Sequence, residues 1–164
     1  MTATPPNRHD PDLVPGGSSS GAAASVAFGL AAAGIGSDTG GSVRIPSAWN
    51  DLVGLKTTSG KLTLEGTVPL CLKFDTIGPL CRTVEDAALL TALMENAAAP
   101  DLRGASVDGM RFATLQSAVL DQIRDEPRNA YLAAVEKLKA AGAEIEPLDA
   151  PEVAEALATS GVVF

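Results

Sequence analysis

From Ala22 to Ala33 the chain is apolar at nearly every position. A helix without a polar face belongs inside a protein, so this stretch predicts a buried helix. Pro15-Gly-Gly-Ser-Ser-Ser-Gly21 precedes it, a run of small residues suited to a loop that enters a helix N-terminus. Gly34-Ile-Gly-Ser37 reads as a short strand leaving the helix, and Asp38-Thr-Gly-Gly-Ser42 as a second small-residue turn. Between Ser59 and Pro79, Gly and Pro interrupt short apolar patches, which predicts loops and short strands. Thr83 followed by Glu85 and Asp86 has the form of a helix cap with acids in the first turn. Val84, Ala87, Ala88, Leu90, Leu93, Met94 and Ala97 then keep near-helical spacing. Further on, Met110–Leu115 predicts a strand, and Pro127–Ala141 a helix with Ala130, Ala134, Val135, Leu138 and Ala141 on one face. Gly142 stops that helix, and Ala143–Leu148 reads as a strand. Pro151 opens a last helix that continues near Ser160, and the sequence ends on the apolar run Val162-Val-Phe164. The fold class expected is α/β.

A length of 164 residues suits one domain, and 46% hydrophobic with 20% charged residues is the composition of a chain with a packed core. Residues 1–14, polar and Pro-rich, read as an extended lead-in to a domain over 15–164. The net charge of −8 repels polyphosphate and leaves no broad basic surface, so direct nucleic-acid binding and attachment to anionic lipid are not expected. One Trp, one Tyr and four Phe offer little for base stacking. Cys71 and Cys81 lie outside any CxxC or His-rich context, so no metal is expected and both read as buried thiols in a reducing cytoplasm. No secretory signal and no membrane-spanning run is recognisable.

The chemistry concentrates in residues 37–42, Ser-Asp-Thr-Gly-Gly-Ser. Paired glycines let a backbone approach a ligand closely, and their N–H groups can converge on an oxygen that becomes negative. A hydroxyl beside such donors suits acyl transfer, although the same residues also make ordinary chain reversals. His9, the single histidine, stands in the lead-in and reads as a solvated loop residue rather than a fixed base. Asp75, Glu85 and Asp86 read as turn and helix-start residues rather than as a catalytic carboxylate pair. No Gly-Lys-Ser/Thr follows the glycine turns, so a phosphate cradle is not indicated.

Taken in order, Pro15-Gly-Gly-Ser-Ser-Ser-Gly21, the Ala-rich helix, Gly36-Ser-Asp-Thr-Gly-Gly-Ser-Val-Arg-Ile-Pro46, Gly54-Leu-Lys-Thr57 and Phe74-Asp-Thr-Ile-Gly-Pro-Leu-Cys-Arg-Thr-Val-Glu-Asp-Ala-Ala88 resemble the amidase signature family. The likeness covers most of residues 15–97, and Ala140-Ala-Gly-Ala-Glu-Ile145 is similar to that family's following helix and strand. It implies a mixed β-sheet core flanked by α-helices and a hydrolase acting on the C–N bond of linear amides through a Ser, cis-Ser, Lys triad. Carried over motif by motif, Ser42 is the acylated nucleophile and Ser18 the relay serine behind a cis bond. Backbone N–H groups of Thr39, Gly40, Gly41 and Ser42 form the oxyanion hole, and Ser19, Asp38 and Arg44 support the loop. Ser20 stands where many relatives have Gly, which leaves both serines in place.

The resemblance also implies a catalytic lysine upstream of the serine loop. Seventeen residues precede Ser18 and none is Lys. Lys56 occupies a motif position that the family does not use as its base, Lys61 and Lys73 lie in the loop region, and Lys137 and Lys139 fall on an exposed helical stretch. None is assigned to catalysis, so the catalytic Lys is absent from this chain. With the abrupt apolar end, the expectation is an internal piece of an amidase, marginal or aggregation-prone alone and inactive by itself. The substrate expected is a small-molecule amide, with no cofactor. The alternatives are a glutamine amidotransferase subunit that works with partner subunits in tRNA-dependent amidation, a homo-oligomer of this chain, or a catalytically dead piece with a binding or assembly role.

Overall fold

The computed structural model describes residues 4–116, 120 and 122–160, so the Val162-Val163-Phe164 end lies outside the described residues. The chain divides into two compact units, Met1–Leu102 and Arg103–Phe164.

The first unit holds α1 (Ser20–Ala27), β1 (Gly34–Asp38), α2 (Arg44–Trp49), β2 (Val53–Gly54), β3 (Thr76–Cys81) and α3 (Val84–Met94). Its sheet has the order β1-β3-β2 and is antiparallel throughout. β1 pairs with β3 from Gly34↔Leu80 to Asp38↔Thr76, and β2 adds Val53↔Cys81 and Gly54↔Leu80. β3 is therefore central although it contains Pro79, a residue that normally confines a strand to an edge. The missing donor is tolerated because the Pro79 carbonyl still accepts a hydrogen bond from Leu55 N–H at 3.1 Å, just past the end of β2. Ala23, Val43 and Leu80 form a fully buried cluster against this sheet, with Ala22 and Leu52 packed around it.

α1 is shorter than the apolar run Ala22–Ala33 predicts. It ends at Ala27 because Gly29 adopts φ +74°, a left-handed geometry that terminates helices, and Leu30 and Ala31 N–H both fold back onto the Ser25 carbonyl. Two arginines complete the end: Arg8 Nη1 donates to Ala27 O at 2.9 Å, and Arg82 Nη1 to Val26 O at 3.1 Å and Ala31 O at 3.0 Å. Ala23, Ala24, Val26 and Ala27 are buried as expected, whereas Leu30 is 82% exposed. The lead-in is also pinned. Asn7 is buried and its Nδ2 donates to Trp49 O at 2.9 Å and Val14 O at 3.3 Å. Asn50 returns the contact, accepting from Arg8 N–H at 2.9 Å and donating to Pro15 O at 2.7 Å and Pro46 O at 2.8 Å. α3 starts where predicted: Thr83 Oγ1 accepts from Asp86 N–H at 3.0 Å, and Ala87 and Ala92 are the buried residues of the helix. Val84 and Leu93, expected on the packed face, are 58% and 63% exposed.

The second unit holds β4 (Arg111–Gln116), α4 (Asp125–Ala140), β5 (Glu144–Asp149) and α5 (Pro151–Ser160). β4 and β5 pair in parallel, from Arg111↔Glu144 to Gln116↔Asp149, with α4 as the crossover. α4 has acids in its first turn and Lys137 and Lys139 in its last, which complements the helix dipole. Its packed stripe is Arg128, Tyr131, Val135 and Leu138, all half-buried, while Ala130, Ala134 and Ala141 of the predicted face are exposed. The bulkier side chains decide which face turns inward. The α/β class is as expected, with antiparallel pairing in one unit and parallel pairing in the other.

Candidate active site

Where β1 stops pairing at Asp38, the chain turns through Thr39-Gly40-Gly41-Ser42 into α2. The Asp38 side chain folds beneath this turn and is fully buried. It accepts from Gly41 N–H at 2.8 Å, Val43 N–H at 3.1 Å and Arg44 N–H at 3.2 Å, and from Arg44 Nε and Nη2, each at 3.0 Å. Burial alone would raise its pKa, but the Arg44 guanidinium and the N–H groups of Val43 and Arg44 outweigh it and hold the carboxyl well below the usual carboxylate range. The turn needs glycine at 41. Its φ is +137°, and a Cβ there would sit 2.7 Å from Ile45 Cδ1.

The serine loop meets this turn directly. The Gly17–Ser18 peptide bond is cis. Ser19 N–H donates to the Ser42 carbonyl at 3.1 Å, and the Ser19 carbonyl accepts from Ala23 N–H at 3.0 Å, so Ser19 joins the turn to the start of α1. Gly36 of β1 makes room for it: a Cβ at this position would lie 2.4 Å from Ser19 Oγ. Ser18, Thr39 and Ser42 line one cavity of about 120 Å³, together with Leu64, Val68, Leu70 and Asp75. A larger cavity of about 380 Å³ in the second unit, lined by Tyr131, Val135 and Ile145, has no comparable pair of serine hydroxyls among the described residues.

Of the four N–H groups expected in an oxyanion hole, that of Gly41 is already committed to Asp38. Gly41 has φ +137°, and its N–H meets the carboxylate buried beneath the turn. Ser18, Ser19, Thr39, Ser42, Asp38 and Arg44 are all brought together around the turn. His9 lies outside this group, exposed and with its N–H on Asn7 Oδ1 at 2.8 Å. Glu85 and Asp86 occupy the first turn of α3. Among the described residues, no group of three or more His, Cys, Asp or Glu could hold a metal. Cys71 and Cys81 are free thiols, and burial and the charge of Asp86, opposed by Arg82, push that of Cys81 up.

Two residues matter here that motif reasoning passed over. Lys56 Nζ donates to Asp38 O, to Phe74 O at 2.9 Å, to Thr76 Oγ1 at 3.2 Å and to Thr39 O at 3.3 Å, and it stands 3.4 Å from Asp38 Oδ1. Surrounded by oxygen acceptors, it ties the end of β1 to the start of β3. Asp75, expected to be a turn residue, is buried. Its Oδ1 accepts from the Thr39 hydroxyl, and its Oδ2 accepts from Leu70 N–H at 2.8 Å and Cys71 N–H at 2.9 Å. The Thr39 hydroxyl foremost, then the Leu70 and Cys71 N–H groups and the Lys56 charge, lower its pKa against the opposing effect of burial. The available signal was a lone acid immediately before an otherwise uncharged strand.

Known proteins are similar to this chain in sequence and in fold. The family model described as Amidase matches residues 1–163. A glutamyl-tRNA(Gln) amidotransferase subunit of Salinibacter ruber is 38% identical over 166 residues, which covers 93% of this chain and 32% of that protein. The crystal structure of the corresponding subunit from Thermotoga maritima superposes with a TM-score of 0.86 at 35% identity, covering 96% of this chain and 38% of that one. Native peptide amidase from Stenotrophomonas maltophilia superposes with a TM-score of 0.73 at 34% identity, over 88% of this chain and 33% of that one. The chain thus spans about a third of the length of these relatives. With that family model matching residues 1–163, the chain belongs to the amidase family.

Proposed function

We propose that this chain carries the acylation half-site of an amidase that hydrolyses a carboxylic amide, with Ser42 as nucleophile and Ser18 as proton relay. The observation that carries the reading is the shared cavity: Ser42, Ser18 behind its cis peptide bond, and Thr39 of the glycine turn line the same small pocket. In the first step Ser42 Oγ bonds to the amide carbonyl carbon, and the carbonyl oxygen becomes an alkoxide. The Ser42 proton passes to Ser18, whose own proton moves on to a base. Thr39, Gly40 and Ser42 N–H are the donors for the alkoxide, since Gly41 N–H serves Asp38. Collapse breaks the C–N bond, the amine or ammonia leaves with a proton, and water then releases the acid from the acyl-enzyme. Arg44 and Asp38 keep the turn in place, and Ser19 holds it against α1. The base of the family reading is a lysine, and Lys56 does not supply it, being occupied with the carbonyls of Asp38, Thr39 and Phe74.

A fluorophosphonate probe tests the assignment. Ser42 Oγ bonds to phosphorus as fluoride leaves, so the wild-type chain is labelled at Ser42 and Ser42→Ala is not. Labelling that survives Ser42→Ala refutes the nucleophile, and a wild-type chain that takes no label is the catalytically dead piece.

The second reading, favoured by the 38% identity and the TM-score of 0.86, is the glutamine-cleaving component of a glutamyl-tRNA(Gln) amidotransferase, working with partner subunits. Ammonia release from glutamine rather than from a peptide amide, once the chain is joined to the remainder of such a protein, would select it. Among the described residues no helix is long and apolar enough to cross a membrane, which is compatible with a cytoplasmic enzyme.

A further inference from the structure

We propose that Asp75 is a positioning residue for the acylation step, locking the oxyanion turn to the opposite wall of the cavity through the Thr39 hydroxyl. This rests on the amidase reading of Ser42. The cavity has two walls of different origin. One is the Thr39–Ser42 turn with Ser18, and the other is the 64–71 segment, which has neither helix nor strand to hold it. Backbone pairing between β1 and β3 ends at Asp38↔Thr76, so the sheet does not fix the distance between these walls.

One carboxylate spans them. Oδ1 of Asp75 takes the Thr39 hydroxyl from the first wall, and Oδ2 takes the N–H groups of Leu70 and Cys71 from the second, at 2.8 and 2.9 Å. All three donors point at a buried acceptor, where a charged partner makes each bond stronger than its neutral counterpart. Thr39 is held from behind as well, by Lys56 on its carbonyl at 3.3 Å. Its N–H, one of the three oxyanion donors left by Asp38, is thereby set in position relative to Leu70 and Val68, against which the acyl group of a substrate would rest. Asp75 touches the reacting atoms only through Thr39.

The test uses the 164-residue chain and three variants, Thr39→Val, Thr39→Ser and Asp75→Asn. Valine keeps the size and removes the hydroxyl, whereas serine retains it. Asparagine can still accept from Thr39 but presents an NH₂ where Leu70 and Cys71 need an acceptor. Saturation kinetics of fluorophosphonate labelling separate the maximal rate from the half-saturating concentration, and amide hydrogen exchange reports each wall. Expected for Thr39→Val is an about tenfold lower maximal labelling rate with unchanged half-saturation, and faster exchange at Leu70 and Cys71 on the far wall. Thr39→Ser restores both, and Asp75→Asn speeds exchange at Leu70, Cys71 and Gly40 together. The proposal is overturned if Thr39→Val leaves exchange at Leu70 and Cys71 as in wild type, or if its labelling rate is unchanged. Absence of label on the wild-type chain refutes the amidase reading instead, and exchange then decides the link between the walls.

Discussion

Asp38 concentrates more donors than any other side chain described around the turn, and its consequences are measurable. Replacing it by Asn weakens the charge-assisted bonds from the turn N–H groups and from Arg44, itself half in solvent, for a loss of about 1.5–3 kcal/mol at neutral pH. The loss depends on pH in a defined direction. A carboxyl held below its unfolded value of about 4 stabilises the fold above that pH and ceases to do so as pH falls toward the folded value. Urea unfolding at a series of pH values should therefore show wild type and Asp38→Asn converging as pH drops from about 4 toward 2, with their full separation at pH 7. Gly41→Ala should fail differently, through a positive φ and the 2.7 Å approach to Ile45, at a cost of about 1–3 kcal/mol that does not vary with pH. The meeting of Ser18, Ser42, Asp38 and Arg44 at one turn was legible in the sequence because they sit in short motifs, while the chemistry of the two serines is the proposal made above. Lys56 and Asp75 were not, because their partners lie 17 to 20 and up to 36 positions away, and most of them are backbone carbonyl or N–H groups that no side-chain pattern announces.

At the scale of elements, legibility followed the strength of local punctuation. α3 could be read because Thr83 supplies a cap and two acids follow it, and Thr83→Ala should cost about 1 kcal/mol in chemical denaturation, with Thr83→Ser close to wild type. α2 was hidden by Pro46 in the middle of its six residues, a place where a sequence reading expects no helix. β3 was hidden in the same way by Gly78-Pro79, and it exists because β1 and β2 flank it on both sides. α1 was overextended because composition marks what is buried but not where a helix stops; a single left-handed glycine and two arginine side chains set that end.

For the molecule as a whole, the proposed reading places relay, nucleophile and donors in this chain and assigns no lysine to take the proton. The isolated 164 residues should therefore show little or no turnover of simple amides while still forming a covalent adduct at Ser42. Amide hydrolysis that Ser42→Ala abolishes would show that this reasoning about the base is wrong. The first unit also leaves apolar side chains in water, with Val68 96%, Leu30 82% and Leu70 71% exposed, so self-association that grows with concentration is expected in sedimentation experiments.

The asparagine pair that pins the start of the chain, Asn7 and Asn50, has a practical meaning for anyone cutting or extending the gene. Asn7 and Asn50 clasp each other's stretches of backbone, so extra polypeptide placed ahead of Pro5 leaves the clasp whole. Trimming the same end back to Pro15 removes the Asn7 and Arg8 contacts and leaves Asn50 holding α2 by Pro15 O and Pro46 O alone.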